Sequence, residues 1–306
     1  PRNPDNILEL HQRRLFRSTD AGCTFSEIPG VPADDWDRLE VAPSAPDVLV
    51  LTSVFAPRLA YSADGGQHWL VEDLPDDTMA LGIDPIDPWR WTFIGRGPSI
   101  YARTAAGERW TARTIPVEGG QSIVAAAFAP ARPQRWLVAS STRGLYETDD
   151  GGDSWVPASG GLFEPFEGST EPTHAVVASS ITFSPADPDV VYAVANQVTR
   201  TGSLRSIWRS GDGGLTWSAR LHDGDVQGDA TARLTGGTRV FVSPADPDWT
   251  FFAFGMAYDA YGTDLYRSND GLLTYEASHF NGFTKVYAMA FGPQAPVVFV
   301  GASSDI

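Results

Sequence analysis

The strongest constraint on this chain is a short pattern that it writes six times. The copies are LFRSTDAGCTF (15–25), LAYSADGGQHW (59–69), IYARTAAGERW (100–110), LYETDDGGDSW (145–155), IWRSGDGGLTW (207–217) and LYRSNDGLLTY (265–275). Their shared frame is apolar, aromatic, x, Ser/Thr, x, Asp, x, Gly, x, Thr, aromatic. A catalytic motif is needed once, whereas a structural unit is copied. The fourth positions (18, 62, 103, 148, 210, 268) stand 44, 41, 45, 62 and 58 residues apart. Such a period, with two expanded members, marks a repeat array.

A second repeat interleaves with the first: VAPSAPDVLVLT (41–52), GIDPIDPWRWTFIG (82–95), AFAPARPQRWLVAS (127–140), TFSPADPDVVYAVA (182–195), FVSPADPDWTFFAF (241–254) and AFGPQAPVVFVGAS (290–303). Each reads as an apolar strand, a Pro/Asp turn and a second apolar strand. Proline fixes φ and cannot donate to a ladder, so it belongs in the turn. The combined unit is four antiparallel strands in about 45 residues, which is a propeller blade. The chain is therefore expected to be all-β, a single β-propeller domain over 1–306. The blades are expected at approximately 1–36, 37–78, 79–120, 121–176, 177–236 and 237–284, with a partial one at 285–306. Seven blades are favoured, with six as the alternative. The first blade lacks its first strand and the last lacks its second pair.

Each residue of the first pattern has a local task. The Asp carboxylate accepts backbone N–H groups a few residues on and folds the turn. Gly supplies positive φ, and the terminal aromatic buries a large ring. Asp20, Asp64, Asp150, Asp212 and Asp270 are thus expected to be structural, with Trp69, Trp110, Trp155 and Trp217 packing between sheets. The third copy has lost its polar anchors (Arg103, Ala105), and the sixth has Leu272 where Gly is expected.

These octets resemble the Asp-box, or bacterial neuraminidase repeat. Together with the SPADPD turn, they make the whole chain similar to the Asp-box propeller group. That group includes photosystem II assembly-factor-like proteins, sortilin-type receptors, sialidases and xyloglucanases. The resemblance implies an extracellular, periplasmic or cell-surface location. No leader is visible at Pro1, and the sequence starts within a repeat unit, so any leader is expected upstream of it.

The formal net charge of −16 argues against a nucleic-acid partner, because phosphate binding needs a dense basic surface. There is one cysteine, Cys23, hence no intrachain disulfide and no cysteine metal site. No long apolar run indicates a membrane-spanning helix. P-loop, dinucleotide, His-Glu-x-x-His and Gly-x-Ser-x-Gly motifs are absent from the sequence.

Antiparallel order places every Asp-box and Pro-turn at one end of the blades and the remaining loops at the other. The long loops cluster in blades four to six: 160–176, 196–206, 222–238, 255–264 and 278–284. Function on a rigid scaffold usually sits in such loops. The candidate ligand- or partner-binding residues are His174, Arg200, Arg205, His222, Arg233, Tyr258, Tyr261 and His279, accompanied by Phe163 and Phe166. The segment DGDVQGD offers Asp223, Asp225 and Asp229. It resembles part of a calcium loop, but no glutamate closes a twelve-residue frame. No metal or cofactor is expected, calcium being the alternative.

Two functions fit. The first is a non-enzymatic binding or assembly module for a protein or glycan partner. The second is a glycoside hydrolase, which needs two carboxylates flanking the scissile bond. Asp223, Asp225, Asp229 and Asp259, with Asp264, would supply them. A sialidase would also need an arginine triad and a Tyr–Glu pair. Its Arg-Ile-Pro motif before the first box is missing, and RTIP at Arg113–Pro116 falls after the third box. Xyloglucanases use two propellers, and one is present here.

Overall fold

A computed structural model of the chain describes residues 5–53, 55–117, 121–130, 132–165, 171–253, 265–278, 285–291 and 298–303. Every regular element among them is a β-strand. None of them forms a helix long and apolar enough to cross a membrane. They fall into two compact units, 5–116 and 117–303 without 292–297.

The first unit holds three antiparallel sheets. Sheet 1 is three-stranded: β1 (Ile7–His11), β2 (Arg14–Ser18) and β3 (Ser26–Glu27). Sheet 2 comprises β4 (Arg38–Val41), β5 (Leu49–Thr52), β6 (Arg58–Ser62) and β7 (Leu70–Asp73). Sheet 3 comprises β8 (Thr78–Ile83), β9 (Trp91–Gly95), β10 (Ser99–Arg103) and β11 (Thr111–Thr114). Sheets 1 and 2 pack through Leu10, Trp36, Leu51 and Trp69. Sheets 2 and 3 pack through Val50, Leu59, Trp91 and Phe93.

The second unit begins with sheet 4: β12 (Ile123–Ala129), β13 (Arg132–Ser140), β14 (Leu145–Thr148) and β15 (Val156–Pro157). Sheet 5 follows: β16 (Ala175–Phe183), β17 (Val191–Val198), β18 (Ser203–Ser210) and β19 (Ser218–His222). A small hairpin, β20 (Val226–Gln227) with β21 (Ala230–Thr231), precedes sheet 6. That sheet is β22 (Arg239–Val242), β23 (Thr250–Ala253), β24 (Leu265–Ser268) and β25 (Glu276–Ala277). The last pair is β26 (Lys285–Phe291) with β27 (Val298–Ser303). Leu137, Val176, Val191 and Trp217 join sheets 4 and 5, and Val194, Ile207, Phe252 and Tyr275 join sheets 5 and 6.

Among the described residues six blades are built, not the favoured seven. β26 and β27 pair only with each other among the described residues. The 306 residues hold no seventh Asp-box. A second correction concerns 196–206, expected as a loop. Those residues continue β17 and β18 in register, Asn196 opposite Arg205 and Val198 opposite Ser203. Only 199–202 turns. The β-branched and alternating residues there simply extend the ladder.

Five boxes share one hydrogen-bond pattern. In the first, Ser18 Oγ donates to Asp20 Oδ1 (2.7 Å) and accepts Gly22 N–H (2.8 Å). Thr24 donates its N–H to Oδ1 (2.9 Å) and its hydroxyl to Oδ2 (2.6 Å). Ser62–Asp64–Gly66–His68, Thr148–Asp150–Gly152–Ser154, Ser210–Asp212–Gly214–Thr216 and Ser268–Asp270–Leu272–Thr274 repeat it. Boxes and Pro-turns lie at the same end of each sheet. Gly65, Gly151, Gly213 and Gly271 donate their N–H groups to the carbonyls of Asp47, Gln134, Asp189 and Asp248.

The third box replaces these anchors with an ion pair. Arg103 Nη1 donates to both oxygens of Glu72 (2.6 and 2.8 Å). Its guanidinium lies 4.2 Å from the Trp91 ring centre and 4.5 Å from that of Trp110. Terminal aromatics pack on the preceding sheet: Trp69 on sheet 1, Trp110 on sheet 2, Trp217 on sheet 4 and Tyr275 on sheet 5. Phe25 departs from the expected burial and stands 42% exposed, because no sheet precedes sheet 1 within its unit. Trp155 of sheet 4 is half-buried, as Trp69 and Trp110 are.

The box donors set the acid behaviour. The Thr24 hydroxyl and N–H, with Ser18, hold the Asp20 carboxyl at about 2. The Ser154 hydroxyl and N–H, with Thr148, hold Asp150 at about 2. Asp64 is lowered chiefly by donors from His68. At Asp212 and Asp270 partial burial pushes upward, and the threonine and serine donors outweigh it. Each folded value lies below the unfolded one, so the stabilisation is present above pH about 4 and lost as pH falls toward 2. The expected result is a urea midpoint that falls steeply as pH drops below 4. Asp150→Asn should flatten part of that fall. An equally steep fall in that variant would contradict the assignment.

Candidate functional site

The end of sheet 5 remote from its box gathers most of the described candidates. The long β17–β18 hairpin carries exposed Arg200 at its tip, where Thr199 N–H donates to Gly202 O (2.9 Å). Thr201 Oγ1 donates to Glu171 Oε2 (3.1 Å). His174 is exposed, and its backbone N–H donates to Val198 O (2.8 Å), which docks the 171–175 segment beside the tip. Arg205, half-buried, donates from Nη1 to Leu234 O (3.3 Å). That contact brings exposed Arg233 to the same end.

The 222–238 insertion is a folded strap rather than an open loop. Asp223 Oδ1 accepts Leu234 N–H (2.8 Å), and Asp225 Oδ2 accepts His222 N–H (2.7 Å). His222 Nδ1 lies 2.6 Å from Ser206 Oγ, a hydroxyl with no solvent exposure. Asp229 is exposed on the β20–β21 turn. Among the described residues no three His, Cys, Asp or Glu side chains are gathered as metal ligands would be. Tyr258, Asp259, Tyr261, Asp264, His279 and Phe166 lie outside the described residues. Phe163 packs against the core between sheets 4 and 5.

Gln227 was not singled out by the sequence, yet it fastens the strap. Its Nε2 donates to Leu273 O (3.1 Å), and its Oε1 accepts Tyr275 N–H (2.8 Å). Tyr275 OH donates to Asp225 O (2.6 Å). At the fifth box the backbone of Gly160 makes the matching pair of bonds, to Leu215 O (3.0 Å) and from Trp217 N–H (2.8 Å). A side-chain amide imitates a peptide group here, and no sequence pattern signals that.

Charge divides the second unit. At the box end Arg132 and Arg135 pair with Asp189, Arg209 with Asp248, and Arg267 with Glu276. At the opposite end Arg200, Arg205 and Arg233 have no ion-pair partner among the described residues. In a chain of net charge −16, three guanidiniums gathered at one end without an ion pair stand out.

No family model matches the chain. It is 27% identical over 304 residues to the dispase autolysis-inducing protein of Streptomyces mobaraensis, covering 97% of this chain and 77% of that protein. It is 24% identical over 227 residues to the photosystem II assembly lipoprotein Ycf48 of a Synechococcus strain, covering 67% of each. Among solved structures, Ycf48 from Cyanidioschyzon merolae matches with TM-score 0.62 and 17% identity, over 99% of this chain and 90% of that one. Ycf48 bound to D1 peptide matches with TM-score 0.58 and 16% identity, over 95% and 84%. The xyloglucanase from Xanthomonas campestris matches with TM-score 0.60 and 19% identity, over 89% of this chain. This chain spans only 44% of that enzyme's length. The chain is therefore a β-propeller similar to the photosystem II assembly-factor-like proteins, with xyloglucanase propellers as further structural neighbours.

Proposed function

We propose that the chain is a non-enzymatic binding module that takes an acidic protein segment at the far end of sheet 5. The observation that carries this reading is the trio Arg200, Arg205 and Arg233, which form no ion pair among the described residues at the end of a hairpin whose own ladder is complete. Arginine is suited to such contacts because its planar fork binds carboxylates through two bonds. His174 and the strap around His222 border the same surface. Two relatives lend support: one is named for inducing the autolysis of another protein, and one is seen with a peptide bound. The lipoprotein relative fits a site of action outside the cytoplasm.

The second reading is glycoside hydrolysis, favoured by the xyloglucanase neighbours. It would need a free carboxylate pair, whereas Asp223 and Asp225 each give an oxygen to the strap's own backbone. An array of peptides graded in acidic content separates the two. Binding should rise with acidic content, weaken with salt, and fall at least about tenfold in Arg200→Glu/Arg233→Glu, as for loss of charge-assisted bonds. Release of reducing sugar from xyloglucan, without peptide binding, would favour the hydrolase.

A further inference from the structure

The junctions between consecutive sheets follow a pairing rule. At four junctions the residue just before the box anchor lies against the next sheet's box or Pro-turn, directly or through one bridging side chain. Between sheets 1 and 2, Arg17 Nη2 donates to Gly65 O (2.9 Å). A Cβ added at Gly65 would meet Arg17 Nη2 at 3.1 Å and Asp47 Oδ1 at 3.3 Å, so the two charges converge there. Between sheets 2 and 3, Tyr61 sits edge-on to Trp89, ring centres 6.1 Å apart. Between sheets 4 and 5, Glu147 reaches Asp189 through Arg135. Between sheets 5 and 6, Arg209 Nη2 donates to Asp248 Oδ1 (2.8 Å).

Sheet 6 differs among the described residues. Arg267 holds the same position as Arg17 and Arg209, but the next turn in the sequence, GPQAPV, carries no acidic residue. Arg267 instead bonds Glu276 of its own sheet (Nε to Oε1, 2.8 Å), and both side chains are more than half exposed. In front of it lies a cleft of about 310 Å³ lined by Trp249, Asn269 and Glu276 as well as Arg267. Trp249 forms a firm wall, packed on Phe251 and Phe291. An exposed pair of this kind is weak and open to exchange for a rival carboxylate.

We propose that this cleft is a socket for a carboxylate presented on a proline turn by a partner protein, the group that Asp248 presents to Arg209 inside the chain. It lies at the box end of sheet 6 and does not depend on the surface proposed above. The chain itself supplies the probe, since Ser-Pro-Ala-Asp-Pro-Asp occurs at 184–189 and 243–248. The hexapeptide, acetylated and amidated, is titrated into isotopically labelled protein and followed at the Trp249 indole N–H. A saturable shift is expected, weakened at least about tenfold by Arg267→Gln. Glu276→Gln should tighten binding several-fold by removing the competitor. A second peptide ending in Asn with a free α-carboxylate tells side-chain from terminal carboxylate. Arg267-dependent binding of either supports the socket and identifies the source. No saturable shift with either peptide, or a shift indifferent to Arg267→Gln in a variant that melts like the wild type, overturns it.

Discussion

Replacing Arg135 by methionine is expected to lower the unfolding free energy by about 3–5 kcal/mol, the usual cost of removing one partner of a buried ion pair. The guanidinium and the Glu147 carboxylate are 7% and 8% exposed, with Nε donating to Oε1 at 3.0 Å. Nη1 reaches Asp189 Oδ1 (2.5 Å) and Nη2 reaches Asp212 O (3.4 Å), so one side chain ties sheet 4 to the turn and the box of sheet 5. The methionine would fill similar space and leave Glu147 charged, buried and alone. Urea unfolding measures the loss. The companion variant Arg135→Met/Glu147→Leu should recover most of it, because two apolar groups packed together need no charge compensation. A double variant as unstable as the single one would show that the clasp to Asp189, not the buried pair, carries the energy.

Arg135 also illustrates what the sequence can and cannot disclose. The box Asp residues were legible because their work is local. An acceptor two to four residues from its donors leaves a fixed spacing, and five copies of that spacing reveal the turn. Antiparallel order followed from the same period, and so did the placing of boxes and Pro-turns at one end. The junctions were hidden because their partners are far apart in sequence: Arg17 with Gly65, Arg135 with Asp189, Arg209 with Asp248. Arg103 looked like a lost anchor, yet its role is a pair with Glu72, 31 residues away. The site was half legible. Composition marked 222–238 as an insertion rich in Asp and Gly, but not that Asp223, Asp225 and Gln227 would spend their polar atoms folding it. Residues 196–206 read as a loop because Thr-Arg-Thr-Gly is polar, and a solvent-exposed hairpin tip is polar too. The blade count failed for another reason: the terminal repeat carries strand sequence, and strand sequence alone does not supply the neighbours a full sheet requires.

Leu272→Gly, which restores the expected box residue, is expected to destabilise the protein by about 2–3 kcal/mol. Two effects oppose each other. Leu272 has φ of +67°, a left-handed conformation that costs a non-glycine residue roughly 1–2 kcal/mol, and glycine would relieve it. The side chain, however, has no solvent exposure and packs in the core between sheets 5 and 6 with Phe252, Tyr266 and Tyr275. Stripping a buried leucine back costs about 3–5 kcal/mol in transfer and cavity terms, and glycine adds unfolded-state entropy. Packing therefore outweighs strain. The second and fifth boxes cannot make the same exchange. A Cβ at Gly214 would stand 2.5 Å from Leu137 Cδ1, and one at Gly66 2.8 Å from Ile28 Cγ2. In those boxes the neighbouring sheet fills the space, whereas at the sixth box the leucine itself fills it. The backbone bond is indifferent to the substitution, since Leu272 N–H still donates to Ser268 Oγ at 2.9 Å. Urea midpoints of Leu272→Gly and wild type decide the matter: a glycine variant as stable as the wild type or more so would mean that strain, not burial, dominates at this turn.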